Sequence, residues 1–159
     1  MVYLDAEGNG ANRDPLVARV TDMPPVGRVL ETSLYVDSLD RSIEFYERVF
    51  GFQKLYADDR FCALSVRDQQ VLLLFLKRGT TQPLQIPGGI IPPHDGEGQT
   101  HLAFTITLAD EQRWMEHLQT NEVPLESRVA WPRGGFSLFF RDPDGHLLEL
   151  ITPGCWTIY

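Results

Sequence analysis

Three residues of this chain carry metal-ligand chemistry at positions that strand patterning singles out: Glu31, His101 and Glu149. His101 heads the stretch Thr100-His101-Leu102-Ala103-Phe104-Thr105-Ile106. Leu102, Phe104 and Ile106 alternate there with His101, Ala103 and Thr105, the period of two that marks a strand with one core face and one more polar face. Glu149 interrupts Leu147-Leu148-Glu149-Leu150-Ile151. A carboxylate in so apolar a strand is costly unless a cation or hydrogen-bond donors meet it. Glu31 stands near the start of an earlier strand. Taken singly, Glu31 reads as a half-exposed carboxylate and His101 as an ordinary strand histidine, so their meaning depends on what brings them together.

The elements that would position them fall into two similar runs. The first has a strand over 29–36, then Asp37 and Ser38 as N-caps for a helix over 39–49. Ile43, Tyr46, Val49 and Phe50 share one face of that helix, and Gly51 ends it. Strands are expected over 52–56, 60–66 and 71–76, with turns at Asp58-Asp59 and Arg67-Asp68. The second run has the His101 strand, a helix over 109–118 with Trp114 and Leu118 facing inward, and Asn121 as its C-terminal cap. Strands over 123–129, 135–141 and 146–151 follow, the last two joined by the turn Asp142-Pro143-Asp144-Gly145. Each run reads β-α-β-β-β. Between them, residues 78–99 hold Gly79, Gly88, Gly89, Gly96 and Gly98 with Pro83, Pro87, Pro92 and Pro93, and are expected to form an irregular linker or lid. Ile86, Ile90 and Ile91 point to part of it packing down. The N-terminal residues 1–27 read as an arm, with a weak edge-strand pattern at Leu16, Ala18 and Val20.

Overlaying the two runs on their strand cores identifies a diverged repeat. Leu34-Tyr35-Val36 falls on Phe104-Thr105-Ile106, an offset of 70, which lays Glu31 on His101. Val71-Leu72-Leu73-Leu74-Phe75 falls on Leu147-Leu148-Glu149-Leu150-Ile151, an offset of 76, which lays Leu73 on Glu149. If the modules pair about a pseudo-twofold axis, positions 31, 73, 101 and 149 face one another. Three of them can coordinate a metal, and Leu73 cannot.

The double β-α-β-β-β layout resembles the vicinal-oxygen-chelate superfamily. So do Leu39-Asp40-Arg41-Ser42-Ile43-Glu44-Phe45-Tyr46 leading to Val49-Phe50-Gly51-Phe52, and Arg141-Asp142-Pro143-Asp144-Gly145-His146-Leu147-Leu148-Glu149-Leu150. That superfamily includes glyoxalase I, extradiol dioxygenases, fosfomycin-modifying enzymes and bleomycin-binding proteins. The resemblance implies an α+β fold in which each module curls into half of an open barrel around a divalent metal. It implies a single domain over 28–154, made of module one (28–77), the loop 78–99 and module two (100–154), with a tail at 155–159. It also assigns the ligand positions to Glu31, His101 and Glu149. Glu31 departs from the histidine of the extradiol pattern, and Leu73 from the fourth ligand of the glyoxalase pattern.

Two carboxylates and one imidazole would suit Fe, Mn, Ni, Co or Zn, with positions left for two substrate oxygens. Ser33, Tyr35, Ala103 and Thr105 share the face of these ligands. Of these, Ser33 and Thr105 are substrate-binding candidates, and Tyr35 could donate to a bound oxyanion. Arg60 and Arg133 are candidates for steering an anionic substrate, and His94 for a mobile acid or base on its loop. His117 and His146 read as structural. Trp131 and Trp156 read as pocket walls or packing at the module ends.

Composition narrows the partners. With 159 residues, 43% hydrophobic and 23% charged, the chain has ample core for one domain. A net charge of −8 and a pI near 4.9 oppose nucleic-acid and anionic-membrane partners. No apolar run spans a bilayer, the first residues do not pattern as a signal peptide, and Cys62 and Cys155 lack metal-type spacing. A reduced cytoplasmic protein is expected, homodimeric by resemblance. The leading functional expectation is a metalloenzyme of dioxygenase-like or glyoxalase-like chemistry that chelates a small molecule. The alternatives are a bleomycin-type binding protein without catalysis and a subunit with a vestigial site.

Overall fold

The computed structural model describes residues 23–159. The edge strand expected around Leu16, Ala18 and Val20 lies outside them, as does most of the expected arm. Module one comprises β1 (Glu31–Val36), α1 (Leu39–Phe50), β2 (Gln53–Ala57), β3 (Phe61–Val66) and β4 (Gln70–Leu76). A small hairpin follows, β5 (Leu84–Ile86) and β6 (Gly89–Ile91). Module two comprises β7 (His101–Thr105), a tight turn at Leu108–Asp110, α2 (Glu111–Thr120), β8 (Leu125–Ala130), β9 (Phe136–Arg141) and β10 (Leu147–Ile151). The strands form two four-stranded sheets of equivalent order, β1-β4-β3-β2 and β7-β10-β9-β8.

Local chemistry sets the element ends. The Ser38 hydroxyl accepts the Arg41 amide hydrogen at the start of α1, while neighbouring Asp37 turns aside to pair with Lys77 at 3.0 Å. Gly51 closes α1 at φ 68°, a left-handed turn that glycine adopts without strain. In α2 the left-handed position is Glu122 (φ 55°), one residue beyond the expected cap. Asn121 caps instead with its side-chain amide, which donates to the His117 carbonyl at 2.8 Å. The loop 78–99 is more ordered than its glycines and prolines imply. Leu84 pairs with Ile91 and Ile86 with Gly89 around a Pro87-Gly88 turn. Ile86, Ile90 and Ile91 nevertheless stay exposed.

The repeat holds down to strand register. Glu31 lies opposite Val71 and Ser33 opposite Leu73; His101 lies opposite Leu147 and Ala103 opposite Glu149. Both modules carry a β-bulge at the same point of the second strand, between Lys54 and Tyr56 and between Leu125 and Ser127. Tyr56 faces Ala63 where Ser127 faces Phe139, so the offset is 71 (127 against 56) on the second strand and 76 (139 against 63) on the third. Five of the six extra residues of module two therefore sit in its β8–β9 connection.

One hydrophobic core joins the modules. Leu34, Val36, Leu72 and Leu74 of the first sheet belong to the same buried cluster as Leu138, Phe140, Leu148 and Leu150 of the second. Phe50 and Phe52 of module one reach Phe104 of module two, with ring centroids 4.8 and 5.5 Å apart. Strand alternation then turns the opposite face of each sheet, with Glu31, Ser33 and Tyr35 or His101, Ala103 and Thr105, away from this core.

A polar clamp locks the arrangement. The Asp144 side chain, fully out of water, accepts from the Asp37 amide at 2.8 Å, the Arg41 guanidinium at 2.9 Å and the Ser42 hydroxyl at 2.8 Å, all at the start of α1. Tyr46 donates to Asp142 at 2.9 Å. The His146 ring, 1% exposed, accepts the Thr100 amide at Nδ1 (3.1 Å), so its Nε2–H donates to the Tyr35 carbonyl at 3.0 Å. Asp144→Ala should therefore cost about 2–4 kcal/mol, because it strands three donors that now meet one carboxylate. Urea unfolding of the full chain measures this. A change of less than about 0.5 kcal/mol would mean the clamp is not what joins the modules.

Candidate metal centre and substrate cavity

The parallel pairing of β7 with β10 brings His101 and Glu149 together. His101 lies opposite Leu147, two residues before Glu149 on the same face, and its Nε2 is 3.0 Å from Glu149 Oε2. The other ring nitrogen, Nδ1, is 3.2 Å from the Leu147 carbonyl oxygen. A carbonyl can only accept, so Nδ1 carries the hydrogen, and in the neutral ring Nε2 then presents a lone pair to a carboxylate oxygen. Two lone pairs do not rest at that distance unless a proton or a cation lies between them. Glu149 is 6% exposed, which denies it the alternative of solvation by water. Histidines that bind metals characteristically donate their second ring nitrogen to a carbonyl in this way. The donor set therefore fits a divalent cation.

Glu31 is not beside this pair. Among the described residues, no three His, Cys, Asp or Glu side chains lie close enough to hold a metal. Glu31 instead lines a cavity of about 620 Å³ over module one, together with Ser33, Leu73 and Arg60. This volume lies in the range of small-molecule sites. Leu73 takes its expected place opposite Ser33, the counterpart of Glu149 opposite Ala103.

Tyr35 and His94 line the same cavity and touch: the Tyr35 hydroxyl is 2.6 Å from His94 Nδ1. Sequence order placed His94 just ahead of the His101 strand, but the fold sets it against module one. The His94 amide donates to the Thr80 carbonyl at 3.0 Å, and the Thr80 hydroxyl donates back to the His94 carbonyl. Asp95 accepts the amides of Arg78 (3.2 Å) and Gly96 (2.9 Å). Gly96 is required, since a Cβ there would sit 2.5 Å from the Tyr35 ring. Thr80 and Asp95 are site residues that sequence reading missed; a threonine and an aspartate in a glycine-rich loop carry no signal of their own. Burial, helped by the Asp95 charge, raises the Tyr35 pKa above its usual value, so the hydroxyl holds its proton.

The remaining candidates separate. Ser33 lies in the cavity. Thr105 lies on the His101 face, two residues beyond Ala103. Arg60 lines the cavity, but Asp58 holds its guanidinium at 2.9 Å. Arg133 donates to the Cys155 carbonyl. It precedes β9 at the end of the sheet away from His101, since Ser137 pairs with Ile151 there and Arg141 with Leu147 at the His101 end. His117 bonds the Val49 carbonyl (2.9 Å), and Trp131 donates to Ser137 (2.8 Å). Cys62 and Cys155 are free thiols, and no helix among the described residues is long and apolar enough to cross a membrane.

Comparison with known proteins agrees with this fold. A model of the Glyoxalase/Bleomycin resistance protein/Dioxygenase superfamily matches residues 28–150. The chain is 44% identical to the metallothiol transferase FosB of Staphylococcus saprophyticus over 118 residues, 74% of this chain and 71% of the relative. It is 30% identical to FosB of Staphylococcus epidermidis over the same length, 74% and 75% of the two chains. The crystal structure of a lactoylglutathione lyase from Agrobacterium tumefaciens superposes with a TM-score of 0.76 at 29% identity, covering 84% of this chain and 99% of that one.

The Tyr35 environment has a direct optical test. A pH-difference spectrum of wild type minus Tyr35→Phe should isolate one phenol that titrates above the ordinary value of about 10. Asp95→Asn removes a negative charge that opposes the phenolate, so it should move this titration downward. No movement in that variant would show that burial alone sets it.

Proposed function

The chain belongs to the Glyoxalase/Bleomycin resistance protein/Dioxygenase superfamily, and on that premise we propose that it is a metal-dependent enzyme acting on a small molecule bound through two oxygens. The observation that carries this reading is the His101–Glu149 pair, a buried carboxylate 3.0 Å from an imidazole nitrogen, with the other ring nitrogen against the Leu147 carbonyl. His101 and Glu149 would hold the metal from module two. Glu31 is the third ligand, supplied by a second copy of the chain, because each sheet turns its ligand-bearing face away from the core the two modules share. Homodimerisation thus becomes part of the site. The names of the similar proteins, metallothiol transferases and a lactoylglutathione lyase, support metal-assisted transfer or rearrangement on a small substrate.

A divalent ion from the set Fe, Mn, Ni, Co or Zn would supply Lewis-acid polarisation of the substrate's oxygens. The chain's own groups do the rest. The Glu31 cavity also holds Tyr35 and His94, so a proton acceptor lies in the space that one ligand borders. Tyr35 keeps its hydrogen and donates it toward His94 Nδ1, which leaves the proton of a neutral His94 on Nε2. His94 is then the acid or base, and Tyr35 orients it. Ser33 and Thr105 lie on the faces that would meet around the substrate.

Two experiments test the reading. Titration calorimetry with Mn²⁺ should show uptake by wild type, and loss of about a hundredfold or more in affinity for His101→Ala and for Glu149→Gln. Wild type that takes up no metal would overturn the proposal. In addition, mixing and refolding His101→Ala with Glu31→Gln should restore metal binding at a fraction of the sites, because one of the two sites in a mixed dimer regains all three ligands. Failure to complement, with each variant folded, would place all ligands in one chain and remove the second copy from the site.

A further inference from the structure

The repeat allows each residue of module one to be compared with its counterpart, and one difference stands out on the faces that turn away from the core. Tyr35 of β1, Phe75 of β4 and Phe61 of β3 are cross-strand neighbours: Tyr35 lies opposite Phe75, and Phe75 opposite Phe61. Their rings form a continuous row. Tyr35 and Phe75 stack with centroids 5.8 Å apart, and Phe75 and Phe61 stack at 5.4 Å. His94 meets the edge of the row at 4.6 Å from Phe75. The same three positions of module two are Thr105, Ile151 and Ser137, by the equivalent pairing of Thr105 with Ile151 and of Ile151 with Ser137. Ser137 is fully buried and accepts the Trp131 indole hydrogen, so no row of three rings runs across these strands.

Tyr35, Phe75 and Phe61 are only half-buried, and all three line the 620 Å³ cavity. Leu73 continues the apolar floor between this row and Glu31, and Leu84, Ile91 and Pro92 of the β5–β6 hairpin supply an apolar wall. The charges do not favour an anion. Asp58 neutralises Arg60, the one Lys or Arg among the described lining residues. A compact phosphonate or phosphate would find no free Lys or Arg among those residues and would leave the aromatic row uncovered.

We propose that this cavity takes an uncharged, flat ring system, which lies on the Tyr35–Phe75–Phe61 row beneath the β5–β6 hairpin and directs its oxygen toward Tyr35 and His94. The proposal deepens the functional reading above, because it names the substrate class of the site in which Glu31 is a ligand. The three rings stack on one another, so a ligand ring lying over the row meets their edges, the edge-to-face contact that aromatic pairs favour alongside offset stacking. Leu73 fits the same picture: in place of a second carboxylate it gives the ring an apolar neighbour.

The test uses 1-naphthol, whose single oxygen cannot chelate, on protein kept in EDTA, so the outcome is independent of metal binding. Wild type should bind 1-naphthol and should not bind methylphosphonate. Phe75→Leu and Phe61→Leu should each weaken naphthol binding about fivefold, the size of one aromatic contact, with unchanged circular dichroism. If either variant fails to fold, proton NMR on wild type still decides the matter: bound naphthol should show Overhauser contacts to Phe61 and Phe75. Absence of naphthol binding, equal binding by both folded variants, contacts only to other residues, or preference for methylphosphonate would each overturn the proposal. Naphthol binding alongside failed metal uptake would keep the aromatic site and reject the metal reading; the converse would do the reverse.

Discussion

The structure depends on one carboxylate. Asp144 is wholly withdrawn from water in a turn of module two, a position tolerable only because the first turn of α1 in module one meets it with an amide, a guanidinium and a hydroxyl. The helix start adds its own positive end to that anion. Asp142 beside it is less comfortable: burial pushes its carboxyl upward, against the pull of His146 and the hydrogen bonds it accepts. Together with the His146 bond to the Tyr35 carbonyl, these contacts tie the two modules together around their shared core. Once Leu34 and Leu74 face Leu148 and Leu150 through the common core, strand alternation leaves Glu31 and His101 on surfaces that point apart.

The local layers of this architecture were legible in the sequence because each rests on short-range physics. Alternation exposed the strands of both modules, Ser38 and Gly51 bracketed α1, and overlaying strand cores paired Glu31 with His101 and Leu73 with Glu149 in the register the structure adopts. The β-bulges were not legible, since Leu55 and Glu126 differ in type and the extra residue changes only the pairing. The hairpin β5–β6 was missed for a related reason. Its strands are three residues each, too short for a period of two to emerge among glycines and prolines.

The contact between His101 and Glu149 was legible. His101 and Glu149 lie in adjacent strands of one module, so their meeting follows from local topology, and the 3.0 Å contact is its direct consequence. The place of His94 could not be read this way. Chain order puts it seven residues before His101, yet Thr80, Tyr35 and Asp95 hold it over module one through contacts that span up to 59 positions. The two modules look alike in sequence pattern, and only tertiary packing decides which of them a connecting loop will cover.

That packing also divides labour between the halves. Module two carries the paired imidazole and carboxylate, and on its outward face Thr105, Ile151 and Ser137 replace the aromatic row. Module one carries the cavity, the aromatic row, the Tyr35–His94 contact and a single carboxylate, Glu31. Leu73 is the residue on which the division turns. A second carboxylate there would stand on the same face as Glu31, and repulsion between the two would call for a cation in module one itself. An apolar side chain there removes that demand, leaves Glu31 as the only acidic group among the described residues lining the cavity, and makes the floor suitable for carbon rather than charge. One side chain thus both withholds a carboxylate from position 73 and adds apolar surface to the cavity floor.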